Sequence, residues 1–496
     1  MEFKVKNLEI STGEEIVILL NETDANRYDI HKLDRVNLIY NWSERKITAV
    51  VDLTKSNKLV PIGSIGVFDE VKKILSSKNG QKIRLIIDNK PESLNLIKKK
   101  LQGKSLRYED FKSIMNDVIQ NKITSIELTY FVAGCYMNEL SSDETLNLTR
   151  AMIDTGEVIH FPGKIIMDKH CIGGVAANRT TALVVSIIAA AGYTIPKTSS
   201  RSITSAAGTA DTMEYLCNVN LSAEKLKEVV KKTNACLAWG GALNLAPADD
   251  KIIRVESPLS LDPTGQLIAS VLAKKKSVSA NRVLIDIPVG RGAKIEDKKT
   301  AKKLKLKFKR IGRRLGMRLK VVLTDGSHPI GNGIGPMLEA RDILWTLKND
   351  IKGSLDLKEK SINMAGKMLG MVGHWNGEKD ARKIFDSGKA YSKFIEIIKA
   401  QGGEEVDPNS MNVAKFSFDF YANKTGNVTH IDNKSMNRIA RIAGAPIDKK
   451  AGVYLYISKG TKVMSGNKIF TIYAESKEKL MFSKEVAEKN SGVHIE

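Results

Sequence analysis

At 496 residues and 42% hydrophobic side chains, the chain is long enough for three or four cores and too apolar to be disordered. A formal charge of +22 invites a nucleic-acid partner, but the basic residues are dispersed and aromatics make up only 6%, which argues against stacking platforms for nucleic acid. No apolar run is long enough to cross a bilayer, and Phe3 and Val5 alternate with Glu2, Lys4 and Lys6 where a signal peptide would begin. Cys135, Cys171, Cys217 and Cys236 lie too far apart for a zinc site or a disulfide framework. The expectation is a cytoplasmic protein with reduced thiols, no metal, no membrane partner and no nucleic-acid partner.

In chain order, residues 1–88 read as a β-rich domain: β-prone runs at 3–10, 15–20, 36–40, 47–53 and 83–87 are interrupted by one helix at 69–75. Nothing in it resembles a catalytic motif, so its expected role is assembly. Residues 89–160 form a helical domain, joined by roughly 250–276, with helices at 108–120, 125–138 and 142–155 whose N-caps are Ser125 and Ser142. Residues 161–425 alternate strand and helix, the pattern of an α/β domain with a mainly parallel sheet. It opens with a strand at 164–167, a glycine loop and a helix from Arg179; further strands are expected at 283–287 and 319–323. The basic run 298–320 reads as an amphipathic helix, since Leu304, Phe308, Ile311 and Leu315 recur at helical spacing. Residues 426–496 read as a compact α+β domain. The fold class is therefore multidomain α/β and α+β.

Four stretches carry candidate chemistry. In the first, Asp168-Lys169-His170-Cys171-Ile172-Gly173-Gly174, paired glycines ahead of a helix let backbone N–H groups converge on an anion beside the Lys169 charge; a plain βα turn is the competing reading. The second, Thr198 to Asp211, surrounds Arg201 with hydroxyls suited to phosphate or ribose oxygens, and competes with an ordinary capping loop. Both loops sit at βα junctions, and a parallel sheet gathers such loops at the carboxyl ends of its strands. The third runs from Trp239 to Asp250 and on through Ser260-Leu261-Asp262-Pro263 to Ser270; the fourth is Ile287 to Lys294. Asp262, a lone acid among apolar neighbours, suits either proton donation or a helix N-cap.

Lys169-His170 before Gly173-Gly174, and Ser200-Arg201 through Ala207-Gly208-Thr209-x-Asp211-x-x-Glu214, resemble the thymidine and pyrimidine-nucleoside phosphorylase family over roughly residues 105–480. The loop Ser-Arg-x-Ile-Thr-Ser-Ala-Ala-Gly-Thr-Ala-Asp, the run Trp-Gly-Gly-Ala-Leu-Asn-Leu-Ala-Pro-Ala-Asp-Asp and the extra N-terminal domain are similar to its archaeal AMP phosphorylase branch. The resemblance implies phosphorolysis of AMP, and also of CMP and UMP, to free base and ribose 1,5-bisphosphate in nucleotide salvage. Inorganic phosphate is then the co-substrate, with no cofactor, and the assembly a homodimer or larger homo-oligomer. It makes Asp262 the proton donor and places AMP contacts at Gly174, Ser200, Arg201, Ser202, Ile203, Thr204, Ser205, Thr209, Ser270 and Lys294. It puts phosphate contacts at Lys169, Thr180 and Ser199. Two departures stand out: Cys171 replaces a phosphate-binding serine, and the pyrimidine-reading arginine falls near Asp249, which argues against a strict thymine or uracil pocket. A nucleoside phosphorylase and a basic nucleic-acid-binding protein are the rival readings.

Overall fold

The computed structural model describes residues 1–13, 15–40, 46–259 and 261–496, and divides them into two compact units. The first comprises Met1–Thr155 with Ala246–Ser270, the second Gly156–Leu245 with Val271–Glu496.

In the first unit, six strands close into a barrel in the order Glu2–Asn7, Ser64–Val67, Val17–Asn21, Lys46–Thr54, Arg35–Tyr40, Lys82–Ile87. Alternating side chains turn inward, so Phe3, Val5, Ile18, Leu20, Val36, Leu38, Ile83 and Leu85 fill the interior. The helix Asp69–Leu75 coincides with the sequence reading, whereas Ser64–Val67 and the helix Glu22–Arg27 are additional. Four residues of Ser64–Val67, one of them glycine, are too few to show a period.

Helices Ser93–Leu101, Tyr108–Ile119, Ser125–Met137, Ser142–Asp154 and Pro247–Glu256 follow in this unit, which also holds the first turns of the helix Thr264–Ser277. Two N-caps sit one residue earlier than the sequence suggests: Thr124 and Ser141 accept from the backbone N–H groups of Glu127 and Glu144, whose carboxylates reach back in capping boxes. Glu144 also takes a 2.8 Å bond from the buried Lys100 ammonium, which ties two helices together.

The second unit is built on parallel strands. Arg318–Asp325 pairs with Arg282–Val289, which pairs with Met167–Cys171. A parallel bridge, Ile166 to Thr194, leads to the pair Ile195–Ser199 and Ala235–Trp239. The helix Thr180–Ala190, buried up to its last residue, packs against helices Leu355–Gly370 and Lys389–Ala400, in one core with Leu183, Ile187, Met337, Leu344, Met368 and Phe394. Residues Phe416–Tyr421 and onward add small antiparallel sheets flanked by helices Asn433–Ile442 and Lys477–Lys489.

Two expectations shift here. The first strand is Met167–Cys171, not 164–167, because its register is set by pairing Met167 to Arg282 and Cys171 to Asp286; Lys169 and His170 are strand residues rather than loop residues. The basic helix ends at Arg314 instead of continuing to Lys320: Gly316, at φ +70°, turns the chain, and Arg318 begins the next strand. Its buried stripe is Ala301, Leu304, Phe308 and Ile311.

Candidate phosphate site

Successive residues of a strand face opposite ways, so Lys169 and Cys171 share one face of the sheet and Asp168 and His170 the other. Lys169 is fully buried, and its ammonium donates to the hydroxyls of Thr180 at 2.8 Å and Thr181 at 3.3 Å, at the start of the helix Thr180–Ala190. The Thr180 hydroxyl donates to Asn178 Oδ1 at 3.1 Å, and Asn178 Nδ2 donates to Cys171 Sγ at 3.5 Å. Burial draws the Lys169 pKa below its ordinary 10.5, against the pull of Cys171 and Asp286. No carboxylate among the described residues forms an ion pair with this ammonium. It is an ammonium stabilised by neutral oxygens, an arrangement that favours an incoming anion.

Past the end of the strand, Gly173 and Gly174 hold φ of +94° and +86°. A Cβ on Gly174 would lie 2.4 Å from the backbone nitrogen of Lys294, so the two glycine loops touch only because residue 174 lacks a side chain. Ala176 N–H donates to Asn433 Oδ1, and Asn433 Nδ2 donates to Gly326 O, which fixes the exit of the turn.

The second loop lies between Ile195–Ser199 and Thr209–Glu214. Asp211 organises it by accepting from the N–H groups of Ser202 at 2.7 Å and Gly208 at 2.8 Å. Gly208 packs against the Ser200 carbonyl, where a Cβ would lie at 2.6 Å. The Ser202 hydroxyl donates to the Ser205 carbonyl and lies 3.3 Å from the Ser205 hydroxyl, while Ile203 and Thr204 are exposed at the tip. The Ser199 hydroxyl is buried and finds no hydrogen-bond partner among the described residues.

Arg201 differs from its sequence reading. Rather than standing free to fork a phosphate, its guanidinium bonds Glu214 through both terminal nitrogens, reaches Asp211 at 3.3 Å and lies 4.7 Å over the Trp239 ring. Arg201, then Lys449, hold the Glu214 carboxyl down to about 2. In this arrangement Arg201 organises the loop through carboxylates, and phosphate contact by Arg201 would require breaking that fork.

The structure thus brings Lys169 to Thr180, Gly174 to Lys294, and Ser200, Arg201, Ser202 and Ser205 into one loop with Thr209 at its end. Asp262 and Ser270 belong to the other unit. Asp262 is half-buried two residues ahead of the helix Thr264–Ser277, while Ser260 lies outside the described residues. Ser270 donates to Asp249 Oδ2 at 2.7 Å. One turn before it, the buried Gln266 amide has neither its donor nor its acceptor engaged among the described residues.

Sequence reasoning missed several members. Asn178 and Thr181 were legible as a polar cluster, Asn178-Arg179-Thr180-Thr181, ahead of an apolar helix. Asp286, Thr324 and Lys360 were not, since only strand pairing sets Asp286 beside Cys171 and only sheet and helix packing bring Thr324 and Lys360 to Asp286. Thr324 donates to Asp286 Oδ1 at 2.6 Å, and Lys360 Nζ lies 3.5 Å from Asp286 Oδ2. On the opposite face, Asp168 lies 2.9 Å from Lys275 Nζ and 3.8 Å from Lys197 Nζ, all buried. Burial, then Lys275 and Lys197, push His170 well below its ordinary 6.5 and leave it neutral.

Comparison with known proteins follows the same lines. Residues 94–156 match the glycosyl transferase family helical bundle domain, 163–391 its a/b domain, and 427–494 the pyrimidine nucleoside phosphorylase C-terminal domain. The chain is 45% identical to AMP phosphorylase 1 of Archaeoglobus fulgidus over 98% of its own length and 96% of the relative's. It is 43% identical to AMP phosphorylase of Pyrococcus furiosus over 97% and 95%. In fold it is similar to anthranilate phosphoribosyltransferase from Thermus thermophilus, with a TM-score of 0.52 at 16% identity, covering 62% of this chain and 99% of that one. Its relatives span nearly the whole length, barrel included, and on that ground the chain belongs to the AMP phosphorylase family.

Proposed function

We propose that this enzyme cleaves AMP with inorganic phosphate to adenine and ribose 1,5-bisphosphate. The observation that carries the reading is the buried Lys169 ammonium, solvated by Thr180 and Thr181 hydroxyls on a strand that runs into a glycine turn. Phosphate held there attacks C1′ from the side opposite the base. As the glycosidic bond breaks, positive charge grows on the ribose ring, and the adjacent phosphate anion stabilises it. Asp262, the half-buried acid ahead of Thr264–Ser277, protonates the departing base, at N7 for adenine. The buried Ser199 hydroxyl, without a hydrogen-bond partner among the described residues, and the loop Ser200–Ser205 with Thr209 supply donors to phosphate and ribose oxygens, and Gly174 with Lys294 completes the AMP contacts. The other expectations stand as part of the same proposal: CMP and UMP as further substrates, no cofactor, a cytoplasmic location and a homo-oligomer.

The test mixes enzyme with AMP, with and without phosphate, and measures adenine and ribose 1,5-bisphosphate. Both products appear only with phosphate; adenine released without it overturns the reading. Replacing AMP by adenosine lowers kcat/KM by about 10³ or more, because a site built around a phosphate leaves its donors unpaired when that group is missing. Equal rates on the two would favour a nucleoside phosphorylase.

A further inference from the structure

Lys360 lies on the helix Leu355–Gly370, which packs on both Thr180–Ala190 and the strand Arg282–Val289. Its ammonium and Asp286 Oδ2 are 3.5 Å apart, and both atoms are buried without any hydrogen-bond partner among the described residues. Asp286 is the strand partner of Cys171, so its carboxylate shares a sheet face with Lys169 and Cys171. An exposed pair of this kind would need no explanation. A buried carboxylate on the sheet face of the ammonium proposed to hold phosphate does, because it repels that anion.

We infer that Lys360 is a positioning residue for the attacking phosphate, one that sets phosphate affinity by cancelling the charge of Asp286. With Lys360 in place, the face carries two ammonium groups to one carboxylate and remains anion-seeking. Without it, Lys169 and Asp286 balance, and phosphate meets a neutral pocket with a carboxylate exposed to it. The loose 3.5 Å contact suits the role: Lys360 screens Asp286 without being locked onto it. Thr324, bonded to the other oxygen, keeps the carboxylate turned in place. Both Lys169 and Cys171 feel Lys360 and Asp286 electrostatically, with opposite signs.

This inference rests on the phosphorolytic reading, and the experiment separates the two. Lys360→Met, Asp286→Asn and the double variant are compared with wild type for the KM of phosphate and of AMP, and for phosphate binding by titration calorimetry. Lys360→Met raises the phosphate KM by about tenfold, the effect of one nearby charge in a partly dry site, and leaves the AMP KM within about twofold. Asp286→Asn shifts the phosphate KM the opposite way, and the double variant returns close to wild type. Lys360→Arg, which keeps the charge, retains most of the phosphate affinity. A purely structural ion pair would move both KM values together and give no opposite shift. Should Lys360→Met fail to fold, Asp286→Asn and the double variant still decide the matter. The inference is overturned if the folded variants share the wild-type phosphate KM, or if Asp286→Asn weakens phosphate. Adenine release by the wild type without phosphate would instead overturn the reading beneath it, with calorimetry still reporting on Lys360.

Discussion

The two faces of the strand Met167–Cys171 carry buried charge in opposite ways. On one, Asp168 is flanked by Lys275 and Lys197, so cation meets carboxylate directly. On the other, Lys169 is surrounded by threonine hydroxyls, and the carboxylate nearby is engaged by Lys360 and Thr324. Paired charge of the first kind holds a fold together and has little to offer a ligand. An ammonium solvated by neutral oxygens has kept its appetite for an anion, and its depressed pKa records the cost of keeping it there. Residues one position apart in sequence thus serve stability and binding separately.

The sharpest way to break this contrast is Lys169→Met. It should lower kcat/KM for phosphate by about 10³, the scale on which a dry electrostatic contact to a reacting group works. Thermal unfolding should show the midpoint holding or rising, because a buried ammonium without a carboxylate partner is removed. Asp168→Asn should do the reverse. Denaturant unfolding should reveal a loss of about 3 kcal/mol, the low end for a broken buried pair, since Lys197, already pushed far below its ordinary pKa, sheds its proton readily. The phosphate KM should change little.

Gly174→Ala disturbs the binding face alone. A Cβ 2.4 Å from the Lys294 nitrogen forces the two loops apart, and steady-state kinetics should show kcat/KM for AMP down by about 10². The pH profile supplies a gentler probe. Lys169 loses its proton at a lower pH than an ordinary lysine, so the phosphate KM should climb on the alkaline side before an exposed lysine would titrate. Lys169→Arg should abolish that limb, since guanidinium stays charged throughout. The smallest effect is expected from Cys171→Ser. A hydroxyl is a better hydrogen-bonding group than a thiol, and the phosphate KM should fall by no more than about 1 kcal/mol in equivalent binding.

Much of the architecture was legible because it follows from local pattern. The helix Asp69–Leu75, the barrel runs and the alternation of strand and helix after residue 161 all announce themselves by period. The strand Met167–Cys171 was misplaced for an instructive reason: a lysine and a histidine in a buried central strand look like loop residues until their partners are known. Lys169 and Thr180 were readable as phosphate candidates from glycine and hydroxyl chemistry. Lys360 and Asp286, far apart in the chain, were not, because pairing across a sheet and packing of a later helix leave no short-range trace. Arg201 shows the converse limit: its motif was visible, but its commitment to Glu214 and Asp211 emerges only in three dimensions.

The closed barrel of the first unit has a consequence for how it meets other molecules. Among the described residues the six strands close into a ring, so the sheet offers no edge strand for another chain to extend. The side chains tell a different story, for Ile62, Ile86 and Ile87 are exposed, and Leu33 is 62% exposed. What the barrel presents at its surface is therefore apolar side chains rather than a free strand edge.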